Sequence, residues 1–527
     1  MKGEARPIYK MFDRSDTKLQ IPVYQRNYDW KVANCQQLFN DLVDMAQEGR
    51  KNHFFGSIIE IGDDYGGEKQ IIDGQQRLTT VYLLILALVK LLEEGKISSS
   101  KMNPQKIRDI YLVDQYVSDV ENISRYRLQP VKHDAKAMMC LFGPETDYIQ
   151  KSHQTTNFRF FQEEILKQRI STDDLWDAIQ RLIVIDISLK RDEDNAQLIF
   201  ESLNSTGVDL TEADKIRNFV LMDQPADRQE EYYNNYWHRI EEDPRYEDNE
   251  YHVSEFIRNY LTFKLKKVPT MGKVYSFFKA YVEREKLDIE VILQDLTKYA
   301  GYEKQIRDAE IPSQKVNDIL KRLAVLDVNV TRPFILPLFD YWHEGNISAD
   351  QVAAVLTSIE SYIFRRLIRG MQSNGLNKLF ATLFSDSKRH VGLEKDYVEI
   401  INYLLLSKSE SSRFPTDGEF VENIETRDAY NLRQQTKYYL FDRLENQDSL
   451  ERVNVIKGMQ EGRFTIEHIM PQTLSATWKK ELGNGYQEIY DRWDNHLANL
   501  TLTAYNSSYS NKSFHEKKTA EYGFDHS

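Results

Sequence analysis

Cysteine is almost absent from this 527-residue chain. Cys35 and Cys140 are the only two, too few for a disulfide framework or a cysteine-based zinc site and in keeping with a reducing cytoplasmic setting. Glycine (22) and proline (13) are scarce beside tyrosine (31) and phenylalanine (25), so the chain is expected to be mostly ordered and rich in helix. No internal repeat or low-complexity segment interrupts it. The opening "MKGEARPIYKMFDRSD" has no apolar core of the secretory-signal kind. The longest apolar run, "VYLLILALVKLL", contains Lys90 and is too short to span a bilayer, which takes about 20 residues. It reads as a buried helix, and no membrane partner is expected. An excess of basic charge is missing too. The net charge of −13 argues against a protein that coats duplex DNA non-specifically, while a local phosphate contact needs only a few well-placed Lys or Arg. There is no Walker A lysine loop, so any nucleotide site is not of the P-loop kind.

What is present divides the chain in three. Apolar (41%) and charged (29%) contents are those of a folded protein, and 527 residues exceed a single core. Residues 1–222 read as mixed α/β. Residues 32–48 put Cys35, Leu38, Phe39 and Leu42 on one helical face, which Gly49 ends. "HFFGSIIEIGDDYGGEKQIID" reads as a hairpin with "DDYGG" as its turn, followed by a long apolar helix from about Leu78. "RLIVIDISL" (181–189) is a β-rich run. "NAQLIFESLNSTGVDLTEADKIRNFVLM" reads helix, loop, helix, with Thr211 and Asp214 as a capping box. Residues 223–450 are helical in period, suited to a rigid spacer, a dimerisation surface or a DNA clamp. The acidic "EEDPRYEDNE" (241–250) reads as a solvated loop. Arg365, Arg366 and Arg369 in "FRRLIRG" are the best basic candidates for DNA there, against the ordinary alternative of a solvated helix face. Residues 451–527 read β, loop, β, helix: "RFTIEHIM", "NLTLTAYN", and a helix from Ser510.

Two clusters carry chemistry. In "IIDGQQRLTT" a strand runs through Asp73, Gly74, Gln75, Gln76 and Arg77 into a helix. Gly74 permits a tight turn or close approach of a ligand, the helix start supplies free N–H groups, and Arg77 supplies a fork suited to phosphate. Together they form an anion or nucleotide-phosphate cradle, with Asp73 suited to a ribose hydroxyl or a metal. The plain alternative is a strand–turn–helix with polar surface residues. "IPVYQRNYDW" (21–30) puts Tyr24, Gln25 and Arg26 among aromatics, a set suited to base stacking and phosphate contact or to packing on the domain; packing is favoured.

The second cluster is "FTIEHIMPQTL" (464–474) with the asparagines that follow it. A metal-assisted phosphodiester hydrolase needs a general base, usually histidine, and a divalent ion at the scissile phosphate held by hard oxygen donors. His468 beside Glu467 supplies a base and a carboxylate, and Asn499, Asn506 and Asn511 supply amide oxygens. Neighbouring strand residues point to opposite faces, so Glu467 and His468 converge only if a strand end or bulge relaxes the strand before Pro471. Alone, His468 reads as a packed core histidine; with the β–Asn–helix element behind it, the base reading is favoured. His496 and His515 are weaker candidates.

"EHIMPQ" followed by "NHLANLTLTAYNSSYSNKSFHEKK" resembles the HNH, or His-Me finger, nuclease motif. "IPVYQRNYDW", "FFGSIIE", "IIDGQQRLTTVYLLILAL" and "NAQLIFESLNSTGVDLTEADKIRNFVL" resemble the ParB/sulfiredoxin-like domain that often precedes it. The pair is similar to the GmrSD-type type IV restriction enzymes and related phage-defence nucleases, over roughly residues 15–220 and 460–520. The resemblance implies an α+β multidomain protein: a ParB/sulfiredoxin-like nucleotide-binding and sensor domain (1–222), a helical middle (223–450) and a ββα-metal HNH domain (451–527). It implies His468 as general base, Glu467 as metal ligand and Asn499 as the middle Asn that orders the loop and orients the histidine. The last metal-binding Asn is Asn511 or Asn506, Asn511 being preferred for its place at the expected helix start. Lys512 and Lys518 would touch DNA phosphates. Asp73, Gly74, Gln75, Gln76 and Arg77 would bind or hydrolyse a nucleoside triphosphate and sense DNA modification, joined by Tyr24, Gln25 and Arg26. The expected cofactors are Mg²⁺ or Mn²⁺ and a nucleoside triphosphate; the expected partners are modified or phage DNA and a second copy in a homodimer. The chain ends soon after the presumed metal-site helix, as expected of a trimmed or minimal form. Two other readings are a nucleotide-dependent sensor with a weak or inactive nuclease domain, and a phosphohydrolase of nucleotides acting through the front cluster.

Overall fold

The computed structural model describes residues 2–13, 17–62, 67–117, 119, 122–190, 193–194, 196–203, 210–245, 252–392, 396–447 and 453–524. The chain folds as two compact units, Met1–His238 with Leu287–Leu293, and Arg239–Lys286 with Gln294–Ser527. It is an α+β protein, with its large sheet in the first unit.

That sheet has six strands: β1 (Lys2–Pro7), β2 (Thr17–Gln20), β3 (His53–Ile61), β4 (Gly67–Asp73), β5 (Leu128–Gln129) and β6 (Leu182–Leu189), in the order β1-β6-β3-β4-β2-β5. β1 with β6 and β3 with β4 are antiparallel; the other neighbours are parallel. The β3–β4 hairpin is therefore present, and most of its expected "DDYGG" turn lies outside the described residues. β4 runs into the helix Gln75–Glu93. Of Gln75 to Leu91 in that helix, every residue but Arg77 is buried. A helix apolar all round belongs in a core, and this one lies within the unit's hydrophobic cluster. Among the described residues it alone is long and apolar enough to cross a membrane, and 89% of that stretch is buried inside the protein. It starts at Gln75, earlier than the expected Leu78, so Gln75, Gln76 and Arg77 form its first turn. The helix Val32–Glu48 buries Cys35, Leu38, Phe39 and Leu42 and ends at Gly49 with φ +67. Thr211 and Asp214 cap the helix Glu212–Leu221 reciprocally; the loop before it, 204–209, lies outside the described residues.

The described residues of the second unit between Val253 and Lys286 and between Gln294 and Asn446 are mainly helical, and no strand is found among its described residues before β7. In "EEDPRYEDNE" the described part is not a solvated loop. Glu241 and Glu242 end a helix, and Asp243 is buried near Arg239 and Lys304. The arginines of "FRRLIRG" serve the fold. Arg366 is buried and donates to the carbonyls of Gln372, Ser411 and Arg413, while Arg365 pairs with Asp417 and Arg369 with Glu419.

Two short strands close the unit, β7 (Thr465–His468) and β8 (Leu500–Thr503), paired antiparallel with Glu467 opposite Thr501 and His468 opposite Leu500. Ile466, Leu500 and Leu502 pack on a cluster built from Ile368, Ala429, Leu432, Leu440, Phe441 and Val455. The helix expected from Ser510 is instead two short helices, Asn506–Tyr509 and Phe514–Thr519. Ser510, at φ +43, breaks the chain between them, and Ser513 caps the second in a capping box with Glu516. Asn511 thus lies in an exposed turn, and the residue at a helix start is Asn506.

Candidate functional site

The first cluster lies where β4 meets the helix Gln75–Glu93. Gly74 takes φ +92, and a Cβ there would fall 2.3 Å from Ile58 Cδ1 and 2.9 Å from the Ser57 carbonyl oxygen. Glycine is required by the turn and by the close approach of β3. Gln76 is a buried clamp on the preceding loop. Its Oε1 accepts from the amides of Asp29 (2.9 Å) and Trp30 (3.2 Å), and its Nε2 donates to the Asn27 carbonyl (3.1 Å). Gln25 Nε2 donates to the Ile72 carbonyl at 2.8 Å. Tyr24 is 1% exposed, and its carbonyl accepts from Arg217 Nε at 2.7 Å. The Tyr28 hydroxyl meets Thr80 Oγ1 (2.7 Å) and Asn157 Nδ2 (3.0 Å). The aromatics of "IPVYQRNYDW" are therefore largely packed inward, with Trp30 half-buried edge-on to Phe55.

Asp73, Arg77 and Arg26 remain accessible. Arg77 Nη2 lies 3.1 Å from Asp73 Oδ2, with the two side chains 25% and 26% exposed. The guanidinium lies across Gly56, where any Cβ would strike it. Burial pushes the Asp73 carboxyl up, against the pull of Arg77, the Gly74 amide and Arg26. Two arginines around one carboxylate leave a surplus positive charge at a helix start whose first N–H groups have no intrahelical acceptor. That chemistry fits an anion such as a phosphate. Gln75 is buried next to Gly74.

The second cluster is built on the end of β7. The strand pairs in regular register with no bulge, so Glu467 and His468 leave on opposite faces. His468 is 7% exposed. Its Nε2 lies 3.1 Å from Asn495 Oδ1, and its ring meets the Tyr430 ring edge-on at 4.5 Å. The amides of Ala429 and Tyr430 donate to the Asn495 carbonyl, so the loop that positions Asn495 is tied to the one that positions Tyr430. Asn499 fixes the chain just beyond His468. Its Oδ1 accepts from the Met470 amide (2.7 Å), its Nδ2 donates to the carbonyls of Met470 (2.9 Å) and Asp494 (2.8 Å), and its own carbonyl accepts from the Ile469 amide. Asn506 Nδ2 donates to Thr465 Oγ1 (3.1 Å) and the Ile466 carbonyl (3.2 Å). Thr465 shares the Glu467 face of the strand, so Asn506 approaches from that side.

On the Glu467 face stands a residue that sequence reasoning passed over. Lys517 is 0% exposed and Glu467 5%. The Lys517 Nζ lies 2.6 Å from Glu467 Oε1, 2.8 Å from the His468 carbonyl oxygen and 3.1 Å from that of Ile469. Lys512 and Lys518 are exposed, and the Lys512 carbonyl accepts from Trp478 Nε1. His515 is exposed. His496 Nδ1 and Asp494 Oδ1, on either side of Asn495, are buried without a hydrogen-bond partner.

Among the described residues no group of three or more His, Cys, Asp or Glu is arranged to hold a metal. A divalent ion would have to rely on one carboxylate plus amide, carbonyl and water oxygens. Those are the hard donors Mg²⁺ and Mn²⁺ take, and three such oxygens already surround one positive charge, the Lys517 ammonium.

Asn495 and Tyr430 were also missed. Tyr430 lies 38 residues before His468 with no motif around it. Asn495 stands in "DNHLANL", where attention falls on the histidine and on Asn499.

Comparison with known families gives two matches. Residues 8–221 match the family model described as the GmrSD restriction endonuclease, N-terminal domain. Residues 414–526 match that of the GmrSD restriction endonucleases, C-terminal domain. Together they cover more than half of the chain. The second match starts early enough to take in Tyr430 and Leu432, which pack with the β7–β8 hairpin and its core. No curated protein matches the chain.

Proposed function

This chain belongs to the GmrSD restriction endonuclease family, and on that premise we propose that it cuts DNA in phage defence with metal assistance from a centre at the end of β7, under nucleotide control from the Asp73–Arg77 turn. The observation that carries this reading is the support built around His468. Asn495 Oδ1 at 3.1 Å from Nε2 favours the tautomer that donates from Nε2, which leaves the Nδ1 lone pair to take a proton from water. Asn499 holds the following turn through both atoms of its amide and so acts as a positioning residue. The regular strand keeps Glu467 on the face opposite His468, so Mg²⁺ or Mn²⁺, held by Glu467 and by Asn506 or Asn511, would supply positive charge to a scissile phosphate that reaches the base across the end of β7. Lys512 and Lys518 are exposed and suited to flanking phosphates.

In the first unit a nucleoside triphosphate would set its phosphates against Arg77 and Arg26, with Asp73 accepting from a ribose hydroxyl. The surrounding N-terminal domain would sense modification of the DNA. The Glu467–Lys517 pair favours one further reading, a nucleotide-dependent sensor whose nuclease is weak.

Plasmid and phage DNA, modified and unmodified, are incubated with the full chain and Mg²⁺ or Mn²⁺, with and without nucleoside triphosphates, beside His468→Ala. Metal-dependent cutting that disappears in the variant and changes with nucleotide is the expected result. Nucleotide binding without cutting of any DNA would overturn the nuclease reading in favour of the sensor.

A further inference from the structure

We infer that Lys517 is a tethered cation that competes with divalent metal for Glu467 Oε1 and the two carbonyl oxygens beside it, so that metal takes this set of donors only by displacing the lysine. The inference deepens the proposed function and rests on its metal dependence. It starts from the completeness of the cage. The ammonium has three hydrogens and three acceptors, Glu467 Oε1 and the carbonyls of His468 and Ile469, at 2.6, 2.8 and 3.1 Å. Lysine almost never buries its charge without a partner, and a three-acceptor cage around a wholly buried ammonium is a specific arrangement.

The position of Lys517 is also fixed from its own side. Ser513 caps the helix Phe514–Thr519 in a reciprocal box with Glu516, and the Phe524 amide donates to the Lys517 carbonyl. The helix phase therefore delivers Lys517 to the strand end and leaves its neighbour Lys518 exposed. Carboxylate and carbonyl oxygens are the donors a hard divalent ion takes. A divalent ion and an ammonium drawn to the same three oxygens repel each other and cannot both fill the cage, so the two cations exclude each other there. Lys517 also holds the carbonyls of the two successive peptide bonds that flank Ile469, the first of them that of His468, so its release would be felt at the proposed base.

Two measurements test this, one needing no substitution. Wild-type full chain is treated with an amine-reactive reagent while Mn²⁺ is titrated, and lysine labelling is read by mass spectrometry. Lys512 and Lys518 serve as exposed references. Lys517 is expected to be protected without Mn²⁺ and to become labelled over the Mn²⁺ range that supports DNA cutting. In parallel, Mn²⁺ binding is followed by electron paramagnetic resonance for wild type, Lys517→Met, Lys517→Gln and the Glu467→Gln/Lys517→Met pair. Removing the lysine charge is expected to tighten Mn²⁺ binding at least tenfold, and Glu467→Gln in the same chain to abolish that gain. Replacing a merely structural lysine would not raise metal affinity. Lys517 that stays protected while Mn²⁺ supports cutting overturns the inference alone. The absence of Mn²⁺ binding in wild type and variants alike overturns it together with the proposed cofactor.

Discussion

At the residue scale, the support around His468 comes from polar side chains spending their hydrogen-bonding capacity on the main chain. Asn499 is the clearest case, with three side-chain bonds to the backbone of Met470 and Asp494. Asn499→Ala leaves a buried N–H and carbonyls unpaired, at about 1–3 kcal/mol each. Amide exchange at Ile469 and Met470 should therefore speed up at least tenfold in the variant by mass spectrometry. Unchanged exchange would mean that Asn499 does not hold this turn. Asp134 gives a prediction in pH. Burial pushes its carboxyl from the ordinary 3.8 up to about 6, although it accepts from the Tyr28 amide. Between those values the folded chain holds a proton that the unfolded chain has lost, so this group's contribution to stability falls as pH rises from about 4 to 6 and stays low above. Asp134→Asn keeps an acceptor for Tyr28 and removes the titration. It should raise the stability of the first unit by about 1–3 kcal/mol at pH 7 and by little at pH 4. Parallel melting-temperature curves for the two proteins across pH 4–7 would contradict this. At this scale the sequence is read least well. Nothing in "HEKK" distinguishes Lys517, wholly buried, from Lys518, exposed, because only the phase set by the Ser513 cap separates them.

At the scale of elements, legibility follows the strength of the local signal. The helix Val32–Glu48 was readable to its last residue because its apolar spacing and its terminal glycine agree. The capped helix at Thr211 and the strands β6, β7 and β8 were readable for similar reasons. The break at Ser510 was not, since a non-glycine residue at φ +43 carries no composition signal, and with it went the reason for preferring Asn511 over Asn506. In "IIDGQQRLTT" the elements were legible but the residue roles were divided by packing. Gly74 answers to Ile58 and Ser57, and Gln76 to the loop at 27–30. Gly74→Ala should destabilise the first unit by about 2–4 kcal/mol, through positive φ and overpacking, seen as faster amide exchange in β3 and β4. Gln76→Ala should free the amides of Asp29 and Trp30 to exchange while leaving the helix Gln75–Glu93 protected. If that helix opened as well, Gln76 would be part of the core and not a clamp on the loop.

At the scale of the whole molecule, a net charge of −13 leaves DNA contact to local groups; of the arginines of "FRRLIRG", Arg366 is buried on main-chain carbonyls, and Arg365 and Arg369 pair with Asp417 and Glu419. Arg26→Ala with Arg77→Ala is predicted to remove the response of cutting to nucleoside triphosphate, with the unregulated rate in the second unit retained. Loss of cutting without nucleotide would show that the first unit contributes more than control. The central claim is that His468 at the end of β7 takes the proton from the attacking water. The most direct measurement is the single-turnover rate of DNA cleavage at saturating metal for wild type and His468→Ala, with folding checked by circular dichroism. A fall of about 10²–10⁴-fold is predicted from the loss of a general base. A folded variant that cuts within a few-fold of wild type would contradict the account.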